Sequence, residues 1–353
     1  MKAFIILIAA AATLAPAAAG AQERDRPRLQ AQARDRARAL AQARASQGRE
    51  EQTEKSSRTL KIGAKGELDL SNLAGDIVVT RGGGGAAQVE VVKVARGRTV
   101  EDAREMLAVV TVDFLERGSR AEVRAYPRRD QRTRNNRNVS VSVHYNVTAP
   151  EGTSIAAHSL SGNIRVTDIK GDLNLSSLSG DVSVVNGARV MTAKSTSGKV
   201  EIANLRSDIA LAANTVSGDL VIRQSRVPRM DLGTVSGNVR ITDVDCERID
   251  AHTLSGDVEF SSPLARNGRY ELNSHSGVIR IMPTGDTGFE VDVNSFSGSI
   301  ESSLTLKDQR RGVAASGRRS PGGRTRSLSG VYGDGSATLD ITTFSGSVII
   351  GKK

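Results

Sequence analysis

HSLSGNIRV (158–166), SSLSGDVSV (176–184), KSTSGKVEI (194–202), NTVSGDLVI (214–222), GTVSGNVRI (233–241), HTLSGDVEF (252–260), NSHSGVIRI (273–281), NSFSGSIES (294–302) and TTFSGSVII (342–350) are nine variants of one phrase. The Gly of each Ser-Gly pair falls at 162, 180, 198, 218, 237, 256, 277, 298 and 346, and the first seven steps are 18, 18, 20, 19, 19, 21 and 21 residues. A fixed period near twenty marks a repeat architecture in which each unit buries its apolar face against its neighbours.

With the Ser of Ser-Gly as position zero, positions −6 and −4 are mostly apolar (Leu173/Leu175, Met230/Leu232, Ile249/Ala251, Val291/Val293) and −5 is mostly polar. Apolar residues return at +3 and +5 (Val182/Val184, Leu220/Ile222, Ile279/Ile281). Period-two alternation on both sides of Ser-Gly predicts two strands per unit. Position −2 is Ser or Thr in all nine, and −1 is mostly large and apolar. Two neighbours cannot both face inward on a flat strand, so a corner is expected here, with −1 residues filling it. The Gly suits either a positive φ or a close approach of the next coil. The Asp or Asn that often follows suits a turn. The predicted fold is all-β: a β-solenoid of stacked coils of about 19 residues over 154–353.

Outward from this array, residues 1–21 have Lys2, an apolar run Phe4–Ala12 and the small residues Ala19-Gly20-Ala21. They are expected to be a secretory signal peptide cleaved before Gln22, giving a periplasmic or secreted protein. Residues 22–58 carry 9 Arg and 1 Lys against 6 acids with almost no large apolar residues. A disordered or loosely helical arm is expected. GELDLSNLAGDIVV (66–79) conceals a first coil, with Leu68 and Leu70 at −6 and −4 and Ala74 in place of the Ser. Residues 82–153 depart from the repeat as a small α+β insertion. A strand is expected over 88–95, a short helix over 99–110 capped by Thr99, two strands around 117–119, and a strand over 139–149. Residues 305–336 are rich in Gly and Arg and are expected to form a loop or lid, with Ser329-Gly330 outside the repeat.

The net charge is +10, unevenly spread: residues 117–137 hold 8 Arg against 2 acids, 307–326 hold 7 Lys and Arg against 1 acid, and 155–305 hold 14 basic against 18 acidic residues. The candidate anionic-ligand residues are therefore Arg128, Arg129, Arg132, Arg134, Arg318, Arg319, Arg324 and Arg326, facing an envelope polymer or a lipid surface; the competing reading is solvated loops. Nucleic acid is not expected: there is no Trp, and the basic stretches lack interleaved aromatics. The four His have no zinc-ligand spacing, no Gly-x-Ser-x-Gly elbow occurs, and Asp at +2 lacks the spacing of calcium-binding rolls. No catalytic residue, metal or cofactor is expected. The single Cys246 has no internal disulfide partner and is expected to sit in a coil return. Asp231, Asp250, Glu271 and Asp292, all at −5, predict a column of carboxylates in four successive coils.

The run of S-G-[DN]-[VIL]-x-[VIL] units behind a signal peptide resembles the bacterial adhesin-like β-strand-repeat family of unknown function. The likeness covers about residues 59–353, and RSLSGVYGDGSATLDITTFSGSVII (326–350) is similar to that family's ending, a loop and one closing coil. The resemblance implies an envelope role and supplies no catalytic residues. The expected function is an exported, non-enzymatic binding or scaffold module of the cell envelope, with a protein partner in the envelope also open. The alternative is a carbohydrate-active β-helix enzyme using the acidic strand face.

Overall fold

The computed structural model describes residues 50–127, 140–307, the backbone of 318–319, and 326–352. The chain divides into two compact units, Met1–Glu50 and Glu51–Lys353, and nearly all described residues belong to the second.

Each coil gives one strand to each of two open sheets. Strands preceding Ser-Gly form a front sheet of 14 strands, and strands following it form a back sheet of 13. Neighbouring coils pair in parallel and in register, as in Leu173↔Ile155 at the front and Val182↔Ile164 at the back. The inner faces meet in one continuous core. Leu173, Leu175, Leu232, Val182 and Ile222 are all fully buried. The concealed first coil is present: Glu67–Ala74 pairs with Ser154–Ser161, and Ile77–Gly82 with Ile164–Thr167.

The insertion extends the stack. Ala87–Gly97 lies antiparallel to Ser140–Pro150 on the back sheet. The hairpin Val110–Arg117/Arg120–Pro127 extends the front sheet. The one described helix, Val100–Leu107, is capped by Thr99, whose hydroxyl accepts from the Asp102 N–H at 3.1 Å. Antiparallel strands thus cover an edge that would otherwise continue the parallel ladder.

Three expectations are corrected. First, Glu50–Leu60 is a strand beside Ala87–Gly97, so the end of the stretch expected to be a disordered or loosely helical arm is ordered. An edge strand needs no buried core of its own, and Glu54–Lys93 (3.3 Å) and Glu51–Arg96 (2.9 Å) tie it down. Second, Arg326–Tyr332 is a strand lying antiparallel to Phe289–Ser295, with Ser329 opposite Asp292 and Gly330 opposite Val291. It covers the last front strand and buries Leu328, so this part of 305–336 is not a loop. Third, chain order is not stacking order. Ala337–Thr343 inserts between Arg269–Ser276 and Phe289–Ser295, so the last coil in sequence is the next-to-last in space.

Candidate functional site

The corner after each front strand explains most of the repeated phrase. The Ser or Thr at −2 points inward, and in seven of the nine repeats its hydroxyl donates to the Gly carbonyl of the neighbouring coil, while the Ser159 and Thr343 hydroxyls are buried without a hydrogen-bond partner among the described residues. Ser177 reaches Gly162 O at 2.9 Å, Ser195 reaches Gly180 O at 2.8 Å, and Thr215 reaches Gly198 O at 3.0 Å. Thr234 and Thr253 do the same at 3.2 Å. Asn72 takes this place in the first coil, donating to Val143 O at 2.6 Å. The Gly is required by close approach. A Cβ on Gly237 would fall on the carbonyl oxygen of Gly218, and one on Gly256 on that of Gly237. The Asp or Asn at +2 accepts from the +2 N–H of the next coil: Asn163 from Asp181 at 2.9 Å, Asp181 from Lys199 at 2.8 Å, and Asp219 from Asn238 at 2.8 Å. These Asp and Asn side chains do turn chemistry, satisfying N–H groups that the corner leaves without a ladder partner.

A second corner seven residues after the Ser had an unread signal. Asp168, Asn186, Asn204, Gln224 and Asp243 all have φ between 49° and 60°. Asn and Asp adopt this left-handed region more readily than other residues with side chains.

The −1 residues are not corner fillers. Alternation continues through −6, −4 and −2, so −1 faces out. Leu160, Leu178, Val216, Val235, Leu254, Phe344 and Phe296 are 40–53% exposed and stand in one column up the front sheet. Thr196 and His275 occupy two of its rungs. At its top the rings stack: His275 on Phe344 and Phe344 on Phe296, each with centroids 4.8 Å apart and planes within 7° of parallel. Around Thr196 the column dips into an open groove of about 430 Å³, lined among others by Leu178, Lys194, Asn214 and Val216.

The acidic column at −5 exists and is longer than expected. Register places Asp231, Asp250, Glu271, Asp340 and Asp292 side by side in that order, because Asp340 enters with the inserted strand. Arg229, Arg248 and Arg269 line the adjacent −7 row, and Arg269 pairs with Asp340 at 3.2 Å. On the back sheet Arg240 pairs with Glu259 at 2.9 Å, which raises the guanidinium pKa. At Asp257 burial pushes upward, but the Val278 N–H and the Arg280 guanidinium outweigh it and hold the carboxyl below its usual range. A hydrogen bond from Lys199 at 2.7 Å likewise holds Glu201 low. Cys246 is buried, donates to the Arg248 carbonyl at 3.0 Å, and has its thiol pKa pushed up to about 12 by burial.

Of the candidate arginines, Arg128, Arg129, Arg132, Arg134 and Arg324 lie outside the described residues. Arg318 and Arg319 form a two-residue strand beside Arg326–Tyr332, and Arg326 is exposed at the start of that strand. Among the described residues no group of three or more His, Cys, Asp and Glu side chains could hold a metal ion, and no helix is long and apolar enough to cross a membrane.

Several solved structures are similar at low identity. A "putative adhesin" from Bacteroides fragilis is 12% identical, covering 84% of this chain and 97% of its own with a TM-score of 0.38. A "putative lipid binding protein" from Parabacteroides distasonis is 13% identical (85% and 96% covered, TM-score 0.39), and a "putative adhesin" from Parabacteroides merdae is 9% identical (85% and 96%, TM-score 0.36). No curated protein matches. The family model described as Toastrack DUF4097 matches residues 43–350. That family is a non-catalytic repeat domain, so the alternative of a carbohydrate-active enzyme on the acidic face is set aside. With its two-sheet stack, its glycine corners and a match over most of its length, the chain belongs to the toastrack DUF4097 family.

Proposed function

We propose that this chain is an exported binding or scaffold module of the cell envelope that engages an anionic envelope polymer or lipid surface through its arginine clusters. The observation that carries this reading is where the two basic connections are anchored. The connection 128–139 leaves from Pro127 and returns at Ser140, on strands at the first-coil end of the two sheets. The other basic stretch runs from Lys307 to Arg326, at the opposite end, where Lys307 and Val331 exchange two backbone hydrogen bonds of 2.9 Å. Between them the coils 155–305 carry 14 basic and 18 acidic residues. A rigid, mildly acidic spacer with a basic cluster tethered at each end is suited to bridging an extended polyanion.

The test compares the exported chain with two variants, Arg128/Arg129/Arg132/Arg134→Ser and Arg318/Arg319/Arg324/Arg326→Ser, on phosphatidylglycerol vesicles and on lipopolysaccharide. The parent should bind at low salt and release between roughly 50 and 200 mM salt, since exposed charges are screened beyond about 8 Å at physiological ionic strength. Each variant should bind more weakly with an unchanged circular dichroism spectrum. Equal binding of both variants at low salt would overturn the reading.

A further inference from the structure

The exposed front column is out of keeping with a face meant for water. Its seven apolar side chains present on the order of 600 Å², at the upper end of what a soluble monomer exposes in one patch. Flanking positions are small or neutral over much of the stack. The residue at zero is Ser in every repeat from Ser161 on, and −3 is Ser176, Asn214, Gly233 and Asn273 in four of the rungs. Among the described residues the one Lys or Arg in the −3 row is Lys194.

We propose that this face docks a second copy of the same chain, front sheet on front sheet, about a two-fold axis that runs along the strands through Val235. An occupant that engages every rung must itself carry apolar groups in a straight row repeating near 4.8 Å. This face on another copy is such a row. An axis along the strands reverses coil order, so the nine rungs from Leu160 to Phe296 pair from opposite ends. Leu160 meets Phe296, Leu178 meets Phe344, Val216 meets Leu254, and Val235 meets itself. The two interruptions meet each other: Thr196 stands opposite His275. The groove at Thr196 therefore receives the His275 ring, with its stacked Phe344 on the adjoining rung over Leu178.

Charge sorts the same way. The acids of the −5 column occupy only one half of the face. Reversal sets Asp250 opposite Ala212, Glu271 opposite Thr192, Asp340 opposite Asn174 and Asp292 opposite Ala156. Only Asp231 meets its own copy, with Arg229 two residues along the same strand. The contact strip measures about 38 Å by about 20 Å, on the order of 760 Å² per copy, close to the roughly 800 Å² per partner of a standard interface. A self-complementary patch of this kind is what a two-fold dimer requires.

The test is sedimentation velocity on the exported full chain over a concentration series, with variants whose substituted side chains are all on the surface. The parent should sediment as a dimer, and Val235→Lys, which sets like charges on the axis, should raise the dissociation constant at least tenfold while keeping the parent's circular dichroism. Leu178→Lys and Phe344→Glu should each weaken the dimer, and both together in one chain should restore it, because the register sets those two positions opposite. A parent that stays monomeric to roughly 100 µM would overturn the proposal. So would a dimer that Val235→Lys leaves intact, which would mean a different face. A monomer that binds neutral phosphatidylcholine vesicles and loses that binding in Val235→Lys would assign the column to lipid instead.

Discussion

Replacing Gly237 by Ala tests why the glycine recurs. Its backbone is not in the left-handed region, so Ala costs no conformational strain there. The obstacle is the carbonyl of Gly218 in the coil beneath, a backbone atom that cannot swing aside. Relief requires the two coils to separate locally. That strains the Thr234 hydroxyl to Gly218 O (3.2 Å) and the Asn238 N–H to Asp219 Oδ1 (2.8 Å). Overpacking costs about 1–3 kcal/mol and each lost hydrogen bond about 1 kcal/mol, so a loss of roughly 3–5 kcal/mol is expected. Gly83→Ala is the control: a Cβ there meets nothing within 4 Å and its φ is not positive, so stability should hold or rise by up to about 1 kcal/mol. Urea denaturation of both variants and the parent, with slopes compared, measures the difference. If Gly237→Ala lies within about 1 kcal/mol of the parent, close coil approach is not what selects glycine at this corner.

Other outcomes follow from the same contacts. Tyr270→Phe removes a hydroxyl that donates to Cys246 O at 2.8 Å and accepts from the Ala265 N–H at 2.7 Å, so thermal or urea unfolding should show a loss of about 1–3 kcal/mol. Cys246 should resist Ellman's reagent at pH 8 in the folded protein, its thiol pKa being pushed up to about 12, and react fully in urea; rapid labelling of folded protein would contradict its burial. Asp257 and Glu201 are held below their usual range, so their stabilisation is present above the unfolded values of about 3.9 and 4.3 and is lost as pH falls through the folded values. Asp257→Asn should therefore flatten the fall of stability below about pH 4, measured by urea midpoints from pH 5 to 2. Leu232→Asp buries an unpaired carboxylate at a fully buried position and should unfold the array, visible as loss of β-type circular dichroism.

The stack was legible because its rules are local. Leu173/Leu175 and Val182/Val184 alternate within a few residues, and the glycine spacing counts the coils. The direction of −1 is also legible, because the parity break falls after −1 and not before it. Counting inward positions −6, −4 and −2 as Leu173, Leu175 and Ser177 puts Leu178 outside. A buried Ser or Thr reads as a poor core residue only because its acceptor, a glycine carbonyl some fifteen residues away in the chain, has no mark in the sequence. Sequence order lines up only four acids of the column, because the fifth, Asp340, is their neighbour in space and not in sequence. Nothing local to 337–350 says that this coil lies against 269–281 and not beyond 289–302. The strands at Glu50–Leu60 and Arg326–Tyr332 were missed for a related reason. Glu50–Leu60 lies at an edge and Arg326–Tyr332 has only the two-residue strand Arg318–Arg319 beyond it, so neither needs a full apolar pattern, and each exists because the stack beside it leaves unpaired N–H and C=O groups.

The exchanged order of the last two coils gives the molecule a built-in check on completeness. Coils up to 269–281 can be laid down as they leave the ribosome, each on its predecessor. The 289–302 coil has no finished seat at that moment, because its neighbour on the stack is the strand Ala337–Thr343, synthesised some forty residues later. Until 337–350 has emerged, the edge of Arg269–Ser276 stays open and Tyr270 and Leu272 lack part of their cover. A chain cut short anywhere in the last stretch thus displays a raw parallel edge, the surface that proteases and quality-control factors engage, whereas a finished chain closes both coils and the antiparallel cap in a single late event.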